Sequence, residues 1–74
     1  MTRPVKHSLT LNGHRTSVTL EPEFWDAFCA IAASGNLSLN GLAARIDAGR
    51  NLDTGLATAI RLHVLRHYRD AATA

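Results

Sequence analysis

The chain has 74 residues, of which 46% are hydrophobic and 19% charged, with a formal net charge of +2 at pH 7. This composition excludes a disordered chain, and the length predicts one domain covering residues 1–74. The single cysteine, Cys29, excludes an internal disulfide, and no apolar run is long enough for a membrane span. We therefore expect a cytoplasmic protein without a membrane partner. Because so small a core seldom suffices alone, we also expect a homodimer.

Residues 5–20 predict a β-hairpin. Two runs rich in Val, Leu, Thr and Ser, at 5–11 and 14–20, flank Asn12-Gly13, a dipeptide that favours a tight turn with two positive φ angles. In that register Leu11 pairs with His14, and Val5 pairs with Leu20. Side chains alternate between the faces of a strand, so one face carries the apolar residues Val5, Leu9, Leu11, Val18 and Leu20. The opposite face is wholly polar: Lys6, Ser8, Thr10, Arg15, Ser17 and Thr19.

The first helix is predicted at about 22–33. Pro22 suits its first position, where a missing N–H costs nothing. Its apolar face consists of Phe24, Phe28 and Ile31, flanked by Trp25, Cys29 and Ala32. Gly35 is expected to end this helix in the left-handed conformation.

Two more helices are predicted at about 38–48 and 54–70, so the fold class is α+β. Ser38 is a good N-cap for the second helix, whose apolar stripe is Leu39, Leu42, Ala43 and Ile46. Asp53 or Thr54 is expected to cap the third helix, and residues 71–74 are expected to fray. The stripe of the third helix is wide, which favours burial against a second subunit; it comprises Leu56, Ile60, Val64 and Tyr68, widened by Leu62 and Leu65.

Positive charge is concentrated at the start of the chain. Residues 1–20 contain Arg3, Lys6 and Arg15 together with two histidines, and they contain no acid. Such a segment suits a phosphate backbone, although a short solvated basic stretch has the same composition.

The residue patterns do not favour catalysis or a metal site. His63 and His67 have the i, i+4 spacing of zinc ligands, but no third ligand lies nearby in the sequence, so packed histidines are the preferred interpretation. Cys29 beside Phe28 predicts a buried, inert thiol, and Trp25 is expected in the core rather than as a base-stacking platform. We expect no enzymatic activity, no metal and no cofactor.

The motifs around the first helix resemble those of the ribbon-helix-helix family. They are a strand ending in Leu20-Glu21-Pro22-Glu23, then Gly35, then Leu37-Ser-Leu-Asn-Gly-Leu42, and they cover roughly residues 14–48. The whole chain is also similar to a group of short bacterial proteins that share the hairpin and the third helix. The segments that carry this second likeness are residues 14–18 (HRTSV) and 20–25 (LEPEFW).

The resemblance implies an intertwined homodimer that binds double-stranded DNA, as a transcriptional repressor or an antitoxin-like regulator. In such proteins the outward side chains of a two-chain β-ribbon read base edges in the major groove, and the matching positions here are Arg15, Ser17 and Thr19. The start of the second helix holds a phosphate, and the matching positions are Ser38, Leu39 and Asn40. Lys6, on the same polar face, is expected to contact the DNA backbone.

The hairpin supports an alternative function. A typical family member contributes one strand, whereas two hairpins joined across a dimer make a four-stranded sheet about 19 Å wide, at ~4.8 Å per strand. A major groove is about 12 Å wide and does not admit such a sheet flat. The alternative is therefore a dimeric protein-interaction module that kept the fold without DNA binding, with a protein partner in place of DNA.

Overall fold

A two-stranded antiparallel hairpin leads into three helices. The computed structural model describes residues 3–73, with β1 (Val5–Leu11), β2 (His14–Leu20), α1 (Pro22–Ser34), α2 (Leu39–Gly49) and α3 (Leu56–Thr73). The helices pack on one face of the hairpin and leave the other face to solvent. This architecture confirms the predicted α+β class with a hairpin followed by three helices.

The hairpin has the predicted turn and register. Asn12 and Gly13 take φ values of 53° and 84°, and the pairing runs from Leu11 with His14 to Val5 with Leu20. The apolar face is buried at Leu9, Leu11, Val18 and Leu20. Val5 pairs with Leu20 on the same face, as predicted, and is 46% exposed at the open end of the hairpin, where it is the first residue of β1.

The core lies where β2, α1 and α3 meet. Phe28, Leu20 and Ile60 are its largest fully buried side chains, one from each of these elements. Leu42 and Ala43 add the buried face of α2. Truncation of a fully buried Phe typically costs about 3–5 kcal/mol, so Phe28 contributes strongly to the docking of α1 on the rest of the core.

The end of α1 differs from the prediction by one residue. Gly35 has φ −96°, and the left-handed residue is Asn36, at φ 55°. The helix continues to Ser34, which shifts the left-handed position from Gly35 to Asn36. The Leu37 N–H donates to the Ala32 carbonyl at 2.9 Å and the Asn36 N–H donates to the Ala33 carbonyl at 3.2 Å, the pattern of a Schellman cap. Asparagine tolerates the left-handed region better than most residues.

The third helix begins later than predicted and ends later. Neither Asp53 nor Thr54 caps it, because the Thr54 N–H donates back to the Asn51 carbonyl, which folds residues 51–54 into a turn. Arg50 fixes this turn by donating from Nη1 to the Thr54 carbonyl at 2.9 Å. The helix starts at Leu56 and continues to Thr73 instead of fraying from residue 71; Ala74 lies outside the described residues.

The wide stripe of α3 is only partly covered. Ile60 and Val64 are buried, whereas Leu62, Leu65 and Tyr68 are exposed by 37%, 56% and 49%. Within residues 3–73 no single helix is both long and apolar enough to cross a membrane; α1 and α2 reach that length and composition only when added together, across a bend of 101°.

Candidate nucleic-acid interface

The outer face of the hairpin is polar and fully accessible. Cross-strand pairs on this face join Lys6 to Thr19, Ser8 to Ser17 and Thr10 to Arg15, and all six residues are exposed. This confirms the predicted exposure of the set. The face holds two cations and four hydroxyls, and no acidic residue lies on either strand. Guanidinium groups donate hydrogen bonds to phosphates and base edges, and hydroxyl groups can donate to both and accept from the amino groups of bases.

The start of α2 has the geometry of an anion site. Ser38 is the N-cap, as predicted, and its Oγ accepts a hydrogen bond from the Gly41 N–H at 2.9 Å. The next backbone N–H groups, those of Leu39 and Asn40, have no acceptor among residues 3–73. These groups therefore remain free to donate, at the positive end of the helix dipole.

Gly41 leaves room for the hydroxyl of the N-cap residue Ser38. A Cβ added at Gly41 would lie 3.0 Å from Ser38 Oγ, which is tighter than ordinary contacts between carbon and oxygen atoms. Any larger side chain at this position therefore crowds the hydroxyl that holds the first turn of α2.

One hydrogen bond joins the two surfaces. The Thr10 N–H donates to Asn40 Oδ1 at 2.9 Å, although the two residues are 30 positions apart in the chain. Thr10 is the cross-strand partner of Arg15, so Asn40, Thr10 and Arg15 are neighbours at one end of the sheet. Lys6 lies at the other end, four residues and about 14 Å along β1. The resemblance predicts Asn40 at a phosphate, but nothing in the sequence indicates its bond to the hairpin.

Each edge of the hairpin makes one hydrogen bond to another element, and the remaining outward backbone groups on both strands have no partner within the described chain. In this register the backbone groups of residues 6, 8 and 10 on β1, and of 15, 17 and 19 on β2, point away from the partner strand. On β1 the Thr10 N–H is held by Asn40, and on β2 the Thr19 carbonyl accepts a hydrogen bond from Arg61 Nη2 at 3.3 Å. The backbone groups of Arg15 and Ser17 have no partner within the described chain.

A salt bridge from α3 fixes the joint between β2 and α1. Arg61 Nε and Nη2 bind the two carboxylate oxygens of Glu21 at 2.9 and 3.3 Å, and its guanidinium carbon lies 6.0 Å from the centre of the Phe24 ring. The hydrogen bonds from Arg61 are the largest cause that lowers the pKa of Glu21 below 4.5. The sequence does not predict this salt bridge, because 40 residues separate Arg61 from Glu21.

Trp25 and Cys29, for which the sequence predicts no functional role, both pack in the structure. Trp25 is half-buried against the core, and its ring stacks on His7 with centroids 3.7 Å apart and an interplanar angle of 3°. Burial, and then the charge of Asp26, raise the pKa of the Cys29 thiol, which disfavours the reactive thiolate. Over residues 3–73, no group of three or more histidine, cysteine or acidic side chains is arranged to hold a metal ion.

A family model described as a ribbon-helix-helix domain matches residues 4–68 of the chain. The match includes both hairpin strands and most of α3 as well as the β2–α1–α2 segment that carried the resemblance. No curated protein and no solved structure matches the chain.

Proposed function

This chain belongs to the ribbon-helix-helix family, and from that premise we propose that it is a homodimeric DNA-binding regulator, either a transcriptional repressor or an antitoxin-like protein. Domains of this family typically dimerise and bind double-stranded DNA, and they are generally not enzymes. The proposal assigns base reading to Arg15, Ser17 and Thr19. Backbone contacts are assigned to Lys6, Ser38, Leu39 and Asn40.

The dimer we propose forms by antiparallel pairing of β2 with its copy. The backbone groups of Arg15 and Ser17 on β2 are free to pair, and Asn40 occupies the Thr10 N–H on the edge of β1 next to the turn. Arg61 brings α3 beside β2, and Leu65 and Tyr68 lie on that flank of α3, four and seven residues further on. A second copy on this side covers both the strand edge and the exposed apolar residues.

Pairing through β2 lets a four-stranded sheet approach the major groove with only its two central strands. The two central strands are then the β2 strands, and all three proposed base-reading residues lie on them. The β1 strands lie outside, so Lys6 and Thr10 face the phosphates on the two rims of the groove. The right-handed twist of a sheet also lifts its outer strands away from the plane of the central pair.

The observation that carries the proposal is the hydrogen bond between the Thr10 N–H and Asn40 Oδ1. It holds the free N–H groups at the start of α2 beside a sheet face that bears cations and hydroxyls without acids. The fixed spacing between a phosphate site and a base-reading face is what registers a protein on a duplex.

Binding to a random-sequence duplex at two salt concentrations, measured by fluorescence anisotropy, tests the proposal. Two phosphates held per chain, one by Lys6 and one by the start of α2, give a salt slope of about −3.6 for the dimer, from −0.9 per phosphate. An Arg69→Ala variant is the matched control, because Arg69 is an exposed cation near the C-terminal end of α3 to which the proposal assigns no DNA contact. Salt-independent or absent binding would instead favour the protein-interaction module.

The proposed compartment is the cytoplasm. The ground for this assignment is the single thiol of Cys29 in a small chain, since small extracellular domains are usually stabilised by disulfides.

A further inference from the structure

The far end of α2 borders a cleft that the DNA interface does not use. It has a volume of about 290 Å³ and lies between the C-terminal half of α2, the turn at residues 50–54 and the first half of α3. The α2–α3 cleft is lined by side chains that include Arg45, Ile46, Arg50, Leu62, His63 and Arg66. Arg45, the lining residue of α2 nearest to Ser38 in sequence, is seven residues from it, or about 10 Å of helix away from the proposed phosphate site.

The cleft is rich in positive charge that is not neutralised. No acidic side chain lines it, and of its three arginines only Arg50 has an ion pair, to Asp47 Oδ1 at 2.7 Å. Within residues 3–73, Arg45 and Arg66 make neither an ion pair nor a side-chain hydrogen bond, and both are exposed. Two guanidinium groups facing one concavity repel each other unless an anion lies between them.

One wall of the cleft is already rigid. Arg50 is held at Nε by Asp47 and at Nη1 by the Thr54 carbonyl, so the turn that closes the cleft is fixed without a ligand. A preformed wall lowers the entropy that a ligand loses on binding.

His63 reports the electrostatics of the site. Burial lowers its pKa below 6.5, and the nearby charges of His67 and Arg66 lower it further. The other charged groups around the cleft are Arg45, Arg50 and two acids: Asp47, which is bonded to Arg50, and Asp53 in the turn at residues 50–54. An anion bound between the arginines raises the pKa of His63, because its negative charge opposes the effects of His67 and Arg66.

The remaining lining is apolar. Ile46 and Ala59 are half-buried, and Leu62 is 37% exposed beside the arginines. Small-molecule sites combine such apolar walls with a few fixed polar groups, and their volumes begin at about 300 Å³. The cleft is also separate from the proposed dimer contact, because Leu62, His63 and Arg66 lie on the opposite flank of α3 from Arg61, Leu65 and Tyr68.

We propose that the α2–α3 cleft binds a small organic anion, whose carboxylate or phosphate lies between Arg45 and Arg66 and whose apolar body lies against Ile46 and Leu62. This site is independent of DNA binding. A ligand of this kind fits both the unpaired guanidinium groups and the apolar wall, and inorganic phosphate satisfies only the first of them.

NMR titration of the full chain tests the proposal with phenyl phosphate, benzoate, inorganic phosphate and the neutral probe benzyl alcohol. Phenyl phosphate or benzoate is expected to shift the amide signals of Thr54, His63 and Arg66 and to raise the pKa of His63. Whichever of the two binds more tightly identifies the headgroup. The better anion is expected to bind at least about tenfold more tightly than either benzyl alcohol or inorganic phosphate.

The matched variants are Arg45→Gln/Arg66→Gln and, as a control, Arg69→Gln on the same helix outside the cleft. The double variant is expected to weaken binding at least about tenfold, while the control binds like the wild type. Circular dichroism establishes that both variants keep the helical content of the wild type. Equal binding by the double variant, equal binding of benzyl alcohol or inorganic phosphate, or displacement of phenyl phosphate by duplex DNA would overturn the proposal.

Discussion

Replacement of Asn40 by Asp separates the structural role of this residue from its proposed role at DNA. The carboxylate of Asp has nearly the same shape as the amide, and it can still accept the hydrogen bond that the Thr10 N–H donates at 2.9 Å. A negative charge in the first turn of α2 also favours the helix dipole by about 0.3–1 kcal/mol. For a domain of this size we expect the melting temperature to rise by roughly 1–8 °C.

The same charge opposes a phosphate. A carboxylate about 5 Å from a phosphate charge interacts unfavourably by about 0.8 kcal/mol in bulk water and about 3 kcal/mol at an effective dielectric constant of 20. DNA affinity is therefore expected to fall by roughly 4- to 150-fold per site, with two sites in the dimer. The variant Asn40→Asp should thus gain stability and lose DNA binding.

Two measurements on the same preparations decide the matter: thermal unfolding by circular dichroism and anisotropy with a labelled duplex. Asn51→Asp is the matched control, because it makes the same charge change at an exposed residue beyond the other end of α2. Unchanged DNA affinity in Asn40→Asp would refute the phosphate site at this helix start. A lowered melting temperature would refute the account of the hydrogen bond to Thr10.

Four further outcomes are expected. The wild type should be a dimer in sedimentation experiments, with a melting temperature that rises with protein concentration; Leu65→Glu should shift it towards monomer, and an unchanged dimer would exclude this flank of α3 from the interface. Arg15→Ala should cost about 1–3 kcal/mol on a selected site and relax the preference at one base pair. Lys6→Ala should weaken binding to all sequences alike and reduce the salt slope by about one unit per lysine lost. Arg61 lowers the pKa of Glu21 in the folded chain, so the stability that this pair contributes is present above pH 4.5 and is lost as the pH falls through the lowered pKa. Arg61→Met should therefore make the free energy of unfolding depend less steeply on pH in this acidic range.

The hairpin was predictable because every local signal agrees. Alternation with a period of two assigns the faces, and Asn12-Gly13 fixes the register, so a slip by one residue would have exposed Leu9 and Val18. The N-cap at Ser38 was predictable for a similar reason, since its hydroxyl bonds a backbone group only three residues away.

The links between elements were not predictable in the same way. The bonds of Asn40 to Thr10 and of Arg61 to Glu21 join groups 30 and 40 residues apart, and nothing in the local sequence identifies such partners. The end of α1 shows a smaller limit, because both Gly35 and Asn36 suit a left-handed residue and only the length of the helix decides between them. The proposed roles of the interface residues at DNA stay predictions.

The stack of Trp25 on His7 provides an intrinsic optical probe. The chain has one tryptophan, so emission excited at the red edge of its absorption, where Tyr68 does not absorb, comes from a single indole, and that indole lies at the contact between α1 and β1. Separation of the hairpin from the helices changes the surroundings of this ring, whereas fraying at the far end of α3 does not. Stopped-flow fluorescence can therefore follow the docking of the sheet without an attached dye, while far-ultraviolet dichroism follows the helices in the same sample.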